Sequence, residues 1–330
     1  MRQALLRRSV VAAGTILAVL TVTFVALHLM PGDPVRLYLG PDADPAAVLA
    51  LRHDLGLDRP LLAQYLDWLR RFVVLDWGTS LAQRRAVTSV LADALGPTLL
   101  LTGLSLVLSW VTGLFLGTLQ AARRGSRTDG ALTAITIAVQ AIPAYVLGLG
   151  LVLIFAYGAA LWGWPAVLRL PAMGEAGAAA DFLAPGARFA DRLRHLVLPT
   201  ATLALIGAAG IARYVRTMTV DALRHPAVRM ARAKGLGEWR VLLAHAVRSA
   251  APPLITLAAL QLPALFSGAV FVETIFAWPG MGRVAVSAVL ARDYPVVLAV
   301  TAVFAVLVVT ANLIADGLAV LADPRTREGA

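Results

Sequence analysis

The sequence predicts an all-α integral membrane protein that crosses the bilayer six times. Hydrophobic residues make up 59% of the 330-residue chain, above the roughly half that is usual in soluble domains. They are concentrated in runs of about 20 residues or more, the length that a helix needs to cross the hydrocarbon core. None of the runs alternates between apolar and polar residues, as a membrane β-strand would.

Six apolar runs are the predicted transmembrane helices. They are Val10–Met30, Pro97–Ala122, Ala131–Tyr157, Leu196–Val220, Pro252–Phe276 and Pro295–Leu321. Because backbone groups inside hydrocarbon must hydrogen-bond to one another, we expect each run to be helical. The first run is longer than the apolar part of a signal peptide, and no clear cleavage site follows it. We therefore expect it to be a retained helix.

The distribution of charge predicts the orientation. When the N-terminus is placed in the cytoplasm, the inner face, counted with the inner ends of the helices, carries the whole net charge of +10, and the outer face, counted in the same way, is neutral. This matches the excess of arginine and lysine that cytoplasmic loops normally show. Both termini are then cytoplasmic. Since topology accounts for the positive charge, we expect no nucleic-acid partner.

The predicted helices divide the chain into four parts. Residues 1–30 form the N-terminal region and first transmembrane helix, and residues 31–96 an extracytoplasmic segment with helical stretches at Ala46–Leu55 and Leu61–Val74. Residues 97–325 form a core of five transmembrane helices that contains the cytoplasmic loop 221–251, and residues 326–330 form the tail. A second outer piece, Gly158–His195, is rich in Gly, Ala and Pro, and we expect it to be partly irregular.

The cytoplasmic loop predicts a helix, a glycine turn and a second helix. Val228–Lys234 favours a helix, Gly235 and Gly237 interrupt it, and Glu238–Arg248 can be helical again. Small residues in an Ala-x-Ala-x-Gly pattern, flanked by arginines, favour close approach by a cytosolic partner. The alternative is an ordinary basic loop that only fixes the orientation.

This loop resembles the coupling loop of ABC importer permeases in its peptide-importer form. The similar stretches are Ala231-Arg-Ala-Lys-Gly-Leu236 and His245-Ala-Val-Arg-Ser-Ala250. The general form of the motif has Glu-Ala-Ala, three residues and Gly. Here Arg229, Met230 and Ala231 take the first three places and Gly235 the last. The departures favour the peptide subgroup over the general form.

Similar fragments occur in family order along nearly the whole chain. They are Leu29–Pro34, Leu55–Leu61, Gln64-Tyr65, Trp68-Leu69, Gly268–Arg283, Arg292–Pro295 and Asp323–Arg325. Together they resemble the permeases of dipeptide, oligopeptide and nickel importers. The resemblance implies a fold like that of type I ABC importer permeases.

The resemblance also implies partners and contact residues. A second permease subunit would complete the pathway, two ABC ATPase subunits would bind ATP and Mg²⁺, and an extracytoplasmic solute-binding protein would deliver the cargo. Membrane lipid would surround the helices, and this chain would hold no cofactor. The implied ATPase-coupling residues are Arg229, Ala231, Arg232, Ala233, Lys234, Gly235, Leu236, His245 and Arg248.

Four residues are candidates for the translocation path. Gln140 and Pro143 lie in the middle of the third predicted helix, and Gln261 lies in the fifth. They either line the path or form a proline kink with a packed amide, because neighbouring groups can repair the missing hydrogen bond. Glu273, near the outer end of the fifth helix, either lies at the membrane interface or helps to gate the outer mouth.

The chain contains no recognisable motor or catalytic centre. Its only lysine, Lys234, is not part of a phosphate-binding loop of the form G-x-x-x-x-G-K-[ST]. No paired carboxylates or nucleophile–histidine set stands out, cysteine is absent, and the five histidines lack metal-ligand spacing. We therefore expect neither an enzyme nor a metal site. An ion-coupled secondary transporter, an intramembrane enzyme and a non-transporting scaffold remain the alternatives. The substrate stays open.

Overall fold

The computed structural model describes residues 2–29, 35, 39–40, 43–54 and 56–322. The resembling fragments at residues 30–34 and 323–325, residue 55 and the tail 326–330 lie outside these ranges. Helices and turns account for almost all of what is described. Within those ranges the backbone forms one isolated β-bridge, between Thr79 and Ala86.

Twelve helices, numbered in chain order, cover most of the described chain. They are α1 (Arg2–Leu29), α2 (Pro45–Asp54), α3 (Leu61–Val73), α4 (Val87–Ala122), α5 (Arg127–Ala141), α6 (Ala144–Leu161), α7 (Pro185–Ala222), α8 (Pro226–Ala233), α9 (Glu238–Val241), α10 (Arg248–Ile275), α11 (Met281–Leu290) and α12 (Tyr294–Ala322). Among the described residues, six helical segments are long and apolar enough to cross a membrane, which confirms the predicted number. Both helical stretches predicted in the outer segment are present as α2 and α3.

The third predicted transmembrane helix is in fact two helices. Ile142 and Pro143 have extended backbones (ψ 125° and 143°) and separate α5 from α6. Proline lacks an N–H and disfavours helical geometry in the residue before it. The prediction that Gln140 and Pro143 lie in mid-helix is therefore wrong. Gln140 lies in the last turn of α5, and Pro143 lies in the link.

The helices form two compact units. The described residues of Met1–Pro97 and Gly280–Thr310 form the first, and those of Thr98–Pro279 and Ala311–Ala330 the second. In the first unit, apolar side chains of α1, α4 and α12 share one core, against which the aromatic residues Tyr65 and Trp68 of α3 pack.

A buried carboxylate organises the outer turn of the first unit. Asp293, 1% exposed, accepts hydrogen bonds from Ser80 Oγ (2.5 Å), the Leu81 amide (3.1 Å) and the Ala82 amide (3.0 Å). Buried polar groups are stable only when they are hydrogen-bonded. Asp293, next to α12, therefore fixes a turn more than 200 positions earlier in the chain.

The second unit is built around α7. Glycines of α4 allow that helix to lie directly against α7: a Cβ at Gly117 would come within 2.5 Å of the Ala212 carbonyl oxygen and 2.6 Å of Val215 Cβ. Small residues permit this kind of close approach between membrane helices. On its other sides, α7 contacts α5, α6 and α10. These contacts leave only part of the α7 surface exposed.

Candidate functional site: the inner hairpin and the exposed face of α7

The inner hairpin, which we define as residues 225–248, begins with a capped helix. Pro226 occupies the first turn of α8, where its missing N–H leaves no hydrogen bond unmade. His225 precedes it, and the Ala227 amide donates to His225 Nδ1 (3.4 Å). The local sequence therefore fixes the start of α8.

The glycine turn ends α8 as the sequence predicts. Gly235 has φ +75°, the left-handed conformation that glycine adopts most readily. Its amide donates to the Arg232 carbonyl (2.9 Å), and the Leu236 amide donates to the Ala231 carbonyl (3.4 Å). Gly237, with φ −60° and ψ 144°, then leads into α9. The predicted helix, glycine turn and second helix are confirmed.

A small core joins the two helices of the hairpin to each other and to the end of α7, where Ala222 packs against it. Val228 and Ala231 of α8 are buried together with Val241 and Ala246 on the far side of the turn, and Leu236 packs against them. Ala231 is only 4% exposed, so it holds the two helices together and is not accessible to another protein. Of the small residues in the pattern, only Ala233 and Gly235 are exposed.

The outer surface of the hairpin is basic and partly apolar. The exposed members of the coupling set are Arg229, Arg232, Ala233, Lys234, Gly235 and Arg248, whereas His245 is half-buried. Met230, Trp239 and Leu243 are also exposed, by 57–60%. Arg232 Nε pairs with Glu238 Oε1 across the turn (3.0 Å). This surface combines positive charge with apolar contact area, the composition typical of a protein-docking surface.

The second helix of the hairpin is continuous with a transmembrane helix. α9 passes through a π-helical turn, Leu242–Val247, directly into α10. The helix that begins at Glu238 therefore runs without interruption to Ile275. It is the start of the fifth membrane-spanning helix and not a separate helix on the membrane surface.

The four path candidates lie in different surroundings. Gln140 is exposed and accepts a hydrogen bond from Arg213 Nη1 (2.6 Å). Pro143 is exposed in the link after α5, and Gln261 is half-buried in α10. Of these three, Gln140 is the one that the structure joins to α7.

Glu273 is fully buried inside the second unit. Its side chain is 0% exposed, and its Oε1 accepts a hydrogen bond from Thr98 Oγ1 (2.7 Å). Burial removes the alternative that this carboxylate lies at the lipid interface. Gln140 and Glu273 therefore belong to separate polar contacts.

Sequence reasoning missed the polar groups of α7. Arg216 donates from Nε and Nη2 to the two carboxylate oxygens of Asp129, each at 2.8 Å. These hydrogen bonds are the main reason why the pKa of Asp129 falls to about 2, although burial opposes the shift. The sequence does contain a signal for these polar groups of α7, because Arg213 and Arg216 lie three positions apart inside an apolar run.

Comparisons with known proteins identify what the chain is similar to. Residues 113–328 match the family described as "Binding-protein-dependent transport system inner membrane component", and residues 1–102 match its N-terminal region. The oligopeptide transport system permease protein AppB of Bacillus subtilis is 37% identical, over 97% of this chain and 98% of the relative. The glutathione transport system permease protein GsiC of Salmonella choleraesuis is 35% identical, over 95% of each.

A solved structure shares the fold. A chain of the inward-facing MetNI methionine ABC transporter superposes with a TM-score of 0.51 and 18% sequence identity. The match covers 72% of this chain and 97% of that chain. At this identity the likeness establishes the arrangement of helices alone.

Proposed function

We propose how this chain works from the premise that it belongs to the family of binding-protein-dependent transport system inner membrane components. It is a multi-pass inner-membrane permease subunit of an ABC importer, a family that works with an ATPase and a solute-binding protein. We propose that its cargo is peptides. The support is the full-length similarity to permeases named for oligopeptide and glutathione transport.

The continuous helix from Glu238 to Ile275 carries the proposed coupling mechanism. Two ATPase subunits would hold ATP and Mg²⁺, and one of them would dock on the inner hairpin. Because one buried core holds its two helices together, the hairpin would move as one body when the ATPase moves. Because α9 continues into α10, that movement would reach the fifth membrane helix directly.

The pathway is proposed to form between this chain and a second permease subunit. ATP binding would open the pair to the outside, where the solute-binding protein releases the cargo, and hydrolysis would return it to the inward-facing state. Differential contacts in two states are what any such transition requires. In this mechanism, the chain itself carries out no covalent chemistry and holds no cofactor.

Reconstitution tests the proposal. The importer, assembled with both permeases, the ATPases and the solute-binding protein, is placed in proteoliposomes with ATP at the ATPase side. We expect peptides to accumulate against their gradient only when the ATPases and ATP are both present. Accumulation by this chain alone, abolished by a protonophore, would instead show ion coupling and refute the proposal.

A further inference from the structure

The inner half of α7 exposes a polar stripe. Arg213, Tyr214 and Thr217 are all exposed there. Between Leu99 and Phe115, the exposed positions of α4 are apolar by contrast, for example Val111 and Phe115. Surfaces that face lipid are apolar, because hydrocarbon satisfies no polar group and charged side chains are costly in it. The stripe on α7 therefore faces a water-filled cavity or another protein, and not lipid.

Arg213 and Arg216 contact opposite ends of α5. Arg216 reaches Asp129, at the start of α5. Arg213, one turn earlier in α7, reaches Gln140 instead. Along α5, Gln140 lies about 16 Å beyond Asp129, at a rise of about 1.5 Å per residue. An arginine that is merely tolerated in a membrane extends towards the nearer surface, whereas Arg213 is held by a polar partner in the last turn of α5.

The two arginines also differ in how their charges are balanced. Arg216 forms an ion pair with Asp129. In the part of the chain that the structure describes, no carboxylate forms an ion pair with Arg213. Arg213 donates instead to the amide oxygen of Gln140, which orients the guanidinium without neutralising it. Gly210 lies next to this amide, because a Cβ there would lie 3.4 Å from Gln140 Nε2, in ordinary van der Waals contact.

We propose that Arg213, positioned by Gln140, binds a carboxylate of the cargo as it passes through the membrane. This inference rests on the proposed function, because every peptide with a free C-terminus carries such a group. A guanidinium offers two parallel donors that match the two oxygens of a carboxylate. The chemical class of the ligand is thus a carboxylate anion.

The test uses the complete importer and a defined mixture of free-acid tripeptides, with uptake measured by mass spectrometry. Arg213→Gln removes the charge, and Gln140→Glu supplies a permanent carboxylate that occupies Arg213. We expect each to lower tripeptide uptake about tenfold or more, the loss that follows from one charge-assisted hydrogen-bond pair. Gln140→Leu, which keeps the charge available, should retain more uptake than Gln140→Glu. Arg70→Gln removes the same charge from the exposed surface of α3 and should not change uptake.

Three results would overturn the inference. The first is wild-type uptake in Arg213→Gln or in Gln140→Glu. The second is equal loss in Gln140→Leu and Gln140→Glu. The third is failure of the Arg213→Gln subunit to copurify with its partners, which would assign the charge to an ion pair between subunits. If the wild-type importer accumulates no tripeptide at all, the proposed peptide cargo itself is wrong. This failure can be told apart from a failure of the Arg213 inference, because it is measured on the wild type alone.

Discussion

Asp129 and Arg216 form a two-pronged ion pair between α5 and α7, with both hydrogen bonds at 2.8 Å. The Asp129 side chain is almost fully buried, so removing its charge leaves a partly desolvated guanidinium without its partner. We expect Asp129→Asn to lower the free energy of unfolding by about 1–3 kcal/mol. Denaturation in detergent measures this change. Asp67→Asn, which breaks the exposed Arg59–Asp67 pair, should lose less than about 1 kcal/mol.

The same pair predicts a pH dependence. The pKa of Asp129 is lowered from 3.8 to about 2 in the folded protein. The stability that the pair contributes is therefore fully present above about pH 4 and is lost as the pH falls towards 2. The stability difference between wild type and Asp129→Asn, measured across this range, should shrink with acidification. A difference that stays constant down to pH 2 would contradict the assignment.

Two glycines of α4 should respond differently to alanine. A Cβ at Gly117 would overlap the backbone and side chains of α7, whereas a Cβ at Gly103 meets nothing within 4 Å. Gly117→Ala must push α4 and α7 apart and should lower the free energy of unfolding by about 1–3 kcal/mol. Gly103→Ala should be neutral or slightly stabilising, since alanine favours helix. Thermal unfolding of the two purified variants compares them, and equal stability would disprove the close approach.

Gly235 and Gly237 form a second matched pair. Neither would meet a neighbouring atom with an added Cβ, but only Gly235 has a positive φ. Alanine at Gly235 should cost about 1–2 kcal/mol of backbone strain, which corresponds to roughly a 5–30-fold shift towards other turn conformations. We expect Gly235→Ala to reduce peptide uptake while ATP hydrolysis continues, and Gly237→Ala to behave as wild type. Uptake and hydrolysis are measured on the same proteoliposomes; wild-type coupling in Gly235→Ala would refute the need for this turn.

Exchanging the charges of Arg232 and Glu238 tests whether Arg232 contacts the ATPase or acts only by pairing with Glu238. The exposed Arg232–Glu238 pair contributes less than about 1 kcal/mol to the turn. We therefore expect Glu238→Gln to transport normally and Arg232→Glu to lose most of its uptake, because the partner ATPase would meet a reversed charge. The double exchange, Arg232→Glu with Glu238→Arg, restores the pair but should not restore uptake. Recovery in the double variant would show that Arg232 acts only within the hairpin.

The sequence predicts those features that depend on neighbouring residues. The hairpin is an example, because Gly235 ends α8 through its own backbone conformation. The six spans are another, since length and apolarity are local properties. The break at Ile142–Pro143 could also have been predicted, because the restriction on a residue before proline is local. The prediction instead gave more weight to the continuous apolar run from Ala131 to Tyr157 than to this restriction.

Contacts between distant residues are what sequence reasoning could not supply. Glu273, for example, is fully buried and accepts a hydrogen bond from Thr98, 175 positions away. Likewise, Arg213 and Arg216 look equivalent in sequence, and only their partners on α5 distinguish them. The first is held by a neutral amide and the second by a carboxylate. That difference depends on how α5 and α7 lie side by side.

The buried quartet of Val228, Ala231, Val241 and Ala246 has a thermodynamic consequence for assembly. A segment that becomes ordered only on binding loses conformational entropy at that moment, which weakens the complex. This hairpin is already folded within the isolated subunit, so little of the binding free energy is spent on ordering it. The ATPase would therefore meet a rigid template, and the affinity between the subunits would depend mainly on how well their two surfaces fit.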